Sequence, residues 1–292
     1  MQRIKVTCIV SDLRSLAVAE QLNALGCDVM SLGQEILSEK CSWDGAVPFK
    51  CAAAQANILV LPTPAFGDQQ KVILGKEQIG VSAQELFSCM SGDSLVFAGR
   101  VGEDVAQLAR EHGIRLIDYM QVEEIQWRNA IPTAEGALWL AMQKLDITLH
   151  GAHVAVLGYG RIATALCSRL RDFGAKVTVA ARNPRDLVRI ELEGYRALRI
   201  KQESSLLPLT TGYDVIFNTV PCRILTPLLM ERMHAKTILV ELASSPGGWD
   251  PTLARCDRAI YAPGLPGKYA PKTAGEIIAR VIFDMIKEEK GL

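Results

Sequence analysis

Residues 153–183, HVAVLGYGRIATALCSRLRDFGAKVTVAARN, constrain the fold of this chain more than any other stretch. An apolar run ending at Leu157 meets Gly158-Tyr159-Gly160-Arg161-Ile162-Ala163, passes into a helical pattern, and is followed by a second apolar run over 176–181. A strand, a glycine turn, a helix and another strand make a crossover unit, the building block of a parallel sheet. Gly158 permits the tight turn, Gly160 lets a pyrophosphate approach the backbone, and Ala163 allows close helix–strand contact. Arg161 and Ile162 open the helix, whose N-terminus faces the anion. In this context the spacing marks a dinucleotide grip rather than a bare glycine turn.

The second strand of the unit ends where an NAD-preferring site usually places an acid, about 20 residues beyond the first glycines, to bond the ribose hydroxyls. Here the residue is Arg182. A guanidinium pairs with a 2′-phosphate and leaves an NAD ribose without its acceptor, so Arg182, with Asn183 and Arg185 beside it, predicts NADP. Two further strand ends, FNTVP and ELASSPGG, should border the same crevice, because ligands of open sheets collect at the carboxyl ends of strands. Asn218, Thr219, Val220 and Pro221 are expected beside the ribose and nicotinamide, with Ala243 and Ser244 lining the ring pocket.

The same alternation of Val/Ile-rich runs and helical patterns extends along all 292 residues, which predicts an α/β chain of two doubly wound parallel-sheet domains with a cleft between them. Strands are expected near 4–10, 57–62, 94–98 and 114–118 in an N-terminal domain, residues 1–128. A connecting helix is expected over 129–150, with Pro132 in its first turn. The nucleotide domain, 151–272, should carry strands near 153–158, 176–181, 214–219, 236–242 and 259–262. A final amphipathic helix, 273–292, is expected to pack back on the first domain. The 32 basic residues balance 32 acidic ones, which leaves no excess charge for nucleic acid or an anionic membrane surface. Cys8, Cys27, Cys41, Cys51, Cys89, Cys167, Cys222 and Cys256 form no metal-binding spacing and read as fillers and loose thiols of a cytoplasmic protein.

NAIPTAEGA, LGYGRIA, VTVAARNP, FNTVP, ELASSPGGWD and APGLPGKYAPKTAGEI, in this order and spacing, resemble the A-subunit family of dipicolinate synthase. The glycine motif alone is generic; PTAEG followed by APGLPGKYAPKTAG is specific. Near the N-terminus, where that family tends to read Gly-Gly-Asp-x-Arg, this chain has Val10-Ser11-Asp12-Leu13-Arg14, which keeps the acid and the arginine and lacks the glycines. The resemblance implies an NADP-dependent oxidoreductase that converts the product of dihydrodipicolinate synthase to pyridine-2,6-dicarboxylate. It also implies work with the smaller dipicolinate synthase B-subunit, as a homo-oligomer, in the mother-cell cytoplasm of a sporulating bacterium. Two rival readings use the same fold: a hydroxy- or amino-acid dehydrogenase, and a non-catalytic nucleotide-binding component of a complex.

A dicarboxylate ring must be held by its two anions and brought to the nicotinamide. Arg14, after the first strand, is the first candidate for a carboxylate, with Asp12 beside it; Arg100, after LVFAG, is the second. The Gly/Pro-rich segment around Gly264 and Lys268, leading to a helix that begins near Thr273, offers backbone amides to an anion, with Lys272 nearby. Asn129, Thr133 and Glu135 are expected around a helix start. There Thr133 would donate to a substrate carboxylate, and Glu135 would orient it, act as a base, or merely complement the helix dipole. His112, His150, His153 and His234 occupy no favourable strand end and read as structural.

Overall fold

The computed structural model describes residues 3–34, 46–74, 77–244, 247–248 and 257–291. Two compact units emerge, Met1–Asn129 with Pro266–Leu292, and Ala130–Leu265. The first runs β1 (Lys5–Ile9), α1 (Leu13–Ala24), β2 (Asp28–Leu32), α2 (Ala46–Gln55), β3 (Ile58–Val60), β4 (Lys71–Leu74), β5 (Glu77–Ser82), α3 (Ala83–Cys89), β6 (Leu95–Ala98), α4 (Glu103–Glu111) and β7 (Arg115–Asp118) into α5 (Glu123–Lys144). The second contains β8 (His153–Leu157), α6 (Arg161–Asp172), β9 (Lys176–Ala181), α7 (Pro184–Leu192), β10 (Arg196–Arg199), β11 (Val215–Asn218), α8 (Pro227–Arg232), β12 (Ile238–Glu241) and β13 (Ala259–Tyr261), and the chain ends with α9 (Leu265–Tyr269) and α10 (Pro271–Lys290).

The first unit is a parallel sheet in the order β2-β1-β3-β6-β7, with β4 and β5 as a separate antiparallel pair. Its central strands, β1, β3 and β6, are buried on both faces, and the two-residue period divides them. Val6, Cys8, Val10, Ile58 and Val60 face one layer, while Ile9, Leu59 and Leu61 face the other. α10 supplies the first of those layers through Ile278, Ala279, Ile282 and Ile286, spaced to share one helix face. α10 meets α1 at Gly275, where a Cβ would lie 2.4 Å from the Arg14 carbonyl oxygen and 2.6 Å from the Ala17 Cβ. Alanine would gain about 1 kcal/mol of helix propensity there, against roughly 2–3 kcal/mol for the overpacked contact. Gly275→Ala is therefore expected to lower stability by about 1–2 kcal/mol, read from denaturant midpoints; a stabilised variant would mean that the two helices part freely.

In the second unit the order is β10-β9-β8-β11-β12-β13, all parallel. Strand order reverses between β8 and β11, the switch point at which such sheets open a crevice. Ala163 is fully buried against the strand residues Val154 and Val156.

Several boundaries differ from the expected ones. The connecting helix begins at Glu123, not 129, and ends at Lys144, short of 150; Pro132 is not in its first turn but inside it. The start is set earlier by Glu123 and Glu124, which complement the helix N-terminus. Pro132 lacks the N–H that would pair with the Arg128 carbonyl, close to the Asn129/Ala130 division. The second unit closes at Leu265 rather than 272 because α10, preceded by α9, packs into the first. β2, the β4–β5 pair and β10 have no counterpart in the sequence reading, which rests on Val/Ile runs: DVMSL and RALR alternate or carry charge, as edge strands do.

Candidate functional site

The crevice of the second unit is a cavity of about 210 Å³ lined by Gly158, Tyr159, Ala180, Ala181, Arg182, Asn183, Asp186, Ile200, Val220 and Ile224. Gly158, at φ +94°, turns the chain beneath Thr219, whose hydroxyl donates to the Leu157 carbonyl at 2.7 Å. A Cβ on Gly158 would stand 2.5 Å from that hydroxyl oxygen. α6 starts at Gly160 with no side chain capping it, so its first N–H groups remain for an anion. Ile200, Val220 and Ile224 form an apolar wall suited to a flat base, while Arg182 and Asn183 stand at the end of β9. These donors and this shape fit a dinucleotide. The residues present would hold a pyrophosphate at the Gly158–Gly160 turn and the adenosine against Arg182 and the isoleucines.

At the switch point of the first unit, between β1 and β3, Asp12 caps α1 by accepting from the Ser15 N–H at 2.7 Å. Arg14, its side chain only 14% exposed, donates Nη2 to the Thr63 carbonyl and pairs with Asp12 at 3.3 Å. Gly267 lies against it, where a Cβ would be 3.1 Å from Nη1. Arg14 is thus held by three segments, β1–α1, the strand end after β3, and α9. Arg100 adopts φ +59°, fixed by the Asp118 carboxylate, which accepts from the N–H groups of Arg100 (3.0 Å) and Val101 (3.1 Å). It lines a second cavity, of about 390 Å³, with Phe66, Gln69, Gln70 and Asp104.

Residues 5–120 match the N-terminal domain of the dipicolinate synthase A-subunit, and residues 126–243 match the NAD binding domain of D-isomer specific 2-hydroxyacid dehydrogenases. The chain is 31% identical to the dipicolinate synthase A-subunit of Bacillus subtilis (strain 168), over 98% of its own length and 96% of the other's. The chain belongs to the A-subunit family of dipicolinate synthase. The crystal structure of the Bacillus subtilis protein superposes with a TM-score of 0.82 at 29% identity, covering 100% of this chain and 98% of that one. That of the Bacillus halodurans protein does so with 0.81 at 29% identity, covering 97% of each. A transhydrogenase from Sinorhizobium meliloti, at 16% identity and TM-score 0.70, covering 97% of this chain and 92% of that one, shares the fold. The second unit is accordingly a Rossmann-type nicotinamide-nucleotide domain of dehydrogenase kind.

Within this family member several residues take other places than the sequence suggests. Asn218 is buried, and its Nδ2 donates to Glu241 Oε1 (2.8 Å), Glu241 Oε2 (3.1 Å) and the Val220 carbonyl (3.1 Å). Thr219 is engaged with the Leu157 carbonyl, and Arg161, Ile162, Arg185 and Pro221 flank the cavity without lining it. Glu135 lies well inside α5 rather than in its first turn, so it does not complement the helix dipole. Its carboxylate pairs with Arg169 at 3.1 Å. Asn129 and Thr133, four apart, share a helix face, while Glu135, two residues beyond Thr133, points to another. The Gly/Pro-rich segment winds into the short helix α9, with Gly264 at φ +68° before it and Lys268 on it, while Thr273 and Lys272 lie exposed in the first turn of α10. Ala243 is buried and Ser244 exposed; the two residues after them, with Cys41 and Cys256, fall outside the described residues. The four histidines lie elsewhere: His112 meets Gln84 at 3.0 Å, His150 packs on Gly174, His153 opens β8, and His234 accepts from the Lys236 N–H.

Glu241 is the functional-looking residue that sequence reasoning missed. It is fully buried at the end of β12, and both carboxylate oxygens are engaged: Oε1 by Asn218 and the Ala243 N–H (2.9 Å), Oε2 by Asn218 and the Gly248 N–H (3.0 Å). Burial raises its pKa, against the pull of these donors. It ties the strand end of β11 to the segment after β12. An acid closing the apolar run ILVE was the available signal, since a charge flush with a buried strand needs partners. Among the described residues there is no His/Cys/Asp/Glu group suited to a metal, and no helix is long and apolar enough to cross a membrane.

Proposed function

We propose that this chain oxidises the cyclic product of dihydrodipicolinate synthase to pyridine-2,6-dicarboxylate with NADP+, acting with the dipicolinate synthase B-subunit, as a homo-oligomer, in the mother-cell cytoplasm of a sporulating bacterium. The reading is carried by the pocket that sets Arg182 and Asn183 beside Gly158 in a chain of this family. Bound nicotinamide supplies the hydride acceptor. Arg14 takes one ring carboxylate through a guanidinium already aimed by the Thr63 carbonyl and Asp12, and Arg100 takes the second. Asn129, Lys268 and Thr273 belong to the same unit as Arg14 and add polar groups for the substrate, while Thr133 and Gly264 belong to the nucleotide unit. Loss of a hydride equivalent and of a proton would make the held dihydropyridine ring aromatic, and that gain would drive the oxidation.

Purified chain incubated with dihydrodipicolinate synthase, its substrates and NADP+ should produce NADPH absorbance and the pyridine product together. If no product forms with or without the B-subunit, the proposal fails. Arg14→Ala should raise the substrate KM roughly tenfold, the loss of a charged hydrogen-bonding partner, with NADP+ affinity unchanged. Equal loss of both would mean that Arg14 supports the fold rather than the substrate.

A further inference from the structure

Arg182 is not the only charged group in the nucleotide pocket. Asp186 lines the same cavity from the first turn of α7, four residues on, and it is half-buried where Arg182 is exposed. Among the described residues no ion pair or hydrogen bond occupies the side chain of either. The neighbouring capping is done by others: the Asn183 side chain accepts from the Arg185 N–H at 3.0 Å. The pocket therefore offers an uncommitted cation and an uncommitted carboxylate to whatever sits at the end of β9.

Resting on the nucleotide reading above, we propose that Asp186 is a specificity residue that opposes Arg182, so that the pocket accepts both NAD and NADP. The two nucleotides differ there by one group. A 2′-phosphate brings negative charge, which the Arg182 guanidinium pairs with and the Asp186 carboxylate repels. A free 2′-hydroxyl brings a donor, which a carboxylate accepts and a guanidinium, having no acceptor, does not. Arg182 thus favours NADP, Asp186 favours NAD, and their balance sets the ratio. The competing role for Asp186 is purely structural, an acid in a first helical turn complementing the dipole of α7; that role touches stability and not the choice of nucleotide.

The test is calorimetric titration of the intact protein, without substrate, using NADP+, NAD+, adenosine 2′,5′-bisphosphate and 5′-AMP. Asp186→Asn, which keeps shape and removes charge, should tighten NADP+ and the bisphosphate by about three- to tenfold and weaken NAD+ and 5′-AMP by a similar factor. Arg182→Gln should move each pair the other way, and melting curves establish that both variants are folded. If Asp186→Asn shifts the phosphorylated and unphosphorylated members by the same factor, or shifts neither, Asp186 is no specificity residue, although the nucleotide reading stands. If the unaltered protein binds none of the four, the nucleotide reading falls and takes this inference with it.

Discussion

Gly158→Ala is expected to weaken nucleotide binding by at least about a hundredfold while leaving the protein folded. Two costs combine at this position. A left-handed φ of +94° costs an alanine roughly 1–2 kcal/mol, and its Cβ would enter the space of the Thr219 hydroxyl at 2.5 Å and the Val220 Cγ2 at 3.0 Å. Thr219 has little freedom to retreat, because its hydroxyl and its N–H both bond the Leu157 carbonyl. Relief must come from the turn itself or from Val220, and both belong to the pocket wall. A backbone that flips to negative φ also turns amide groups away from the start of α6, where the pyrophosphate belongs. Titration with NADP+ reads the loss. Gly194→Ala is the control: its φ is +85° with nothing within 4 Å of the added Cβ, so it carries the backbone cost alone and should bind normally. Equal effects from both variants would show that general destabilisation, and not the pocket, is responsible.

Glu241→Gln is expected to cost about 3 kcal/mol of stability, the range for disturbing a buried, hydrogen-bonded charge. All the groups facing the carboxylate are donors: Asn218 Nδ2 and the N–H groups of Ala243 and Gly248. Whichever way the glutamine amide turns, its NH2 faces a donor and strands a buried N–H. The pH dependence has a definite sign. Burial raises the native pKa of Glu241 above its ordinary 4.5, so the folded state binds this proton more tightly than the unfolded state. The associated stability is complete below the unfolded value and is lost as pH rises through the native one. Glutamine has no such limb, so the gap between the two proteins, measured by urea denaturation, should be widest below the unfolded value of 4.5 and narrow as pH rises through the raised native one. A gap independent of pH would place the cost in hydrogen bonding alone.

Much of the nucleotide unit could be read from the chain itself because its signals are local. The 158–163 turn, the β9 end at Arg182 and the Val/Ile runs each carry their structural meaning within a few residues. Asn218 and Glu241 show where local reading stops. Asn218 ends a strand at the switch point and so looks like a ligand contact, yet its amide is consumed by an acid 23 residues away that only the β11–β12 pairing brings alongside. Arg14 is legible as a strand-end arginine, but its aim depends on Thr63, 49 residues on, and on Gly267, beyond the entire second unit. Glu135 belongs to a first turn only if the helix starts near 129; the start at Glu123, marked by acids rather than by the proline, makes it a mid-helix residue.

The first unit is assembled from both ends of the chain, and this gives its biogenesis an order. A ribosome releases Met1–Asn129 long before Pro266–Leu292 exists, yet Ile278, Ile282 and Ile286 complete one face of the β1–β3 sheet. At roughly 5–20 residues per second the early segment waits on the order of 10–30 s with that face uncovered. The nucleotide unit, contiguous from Ala130 to Leu265, can close during the wait. Limited proteolysis of ribosome-held chains, stalled before and after α10 has emerged, separates this order from its reverse: residues 3–129 should stay cleavable until α10 is free. α10, made after the nucleotide unit, would then also decide when Arg14 is set, since it meets the Arg14 carbonyl through Gly275. Nascent chains whose nucleotide unit has already closed would thus leave Arg14 unset until α10 has emerged.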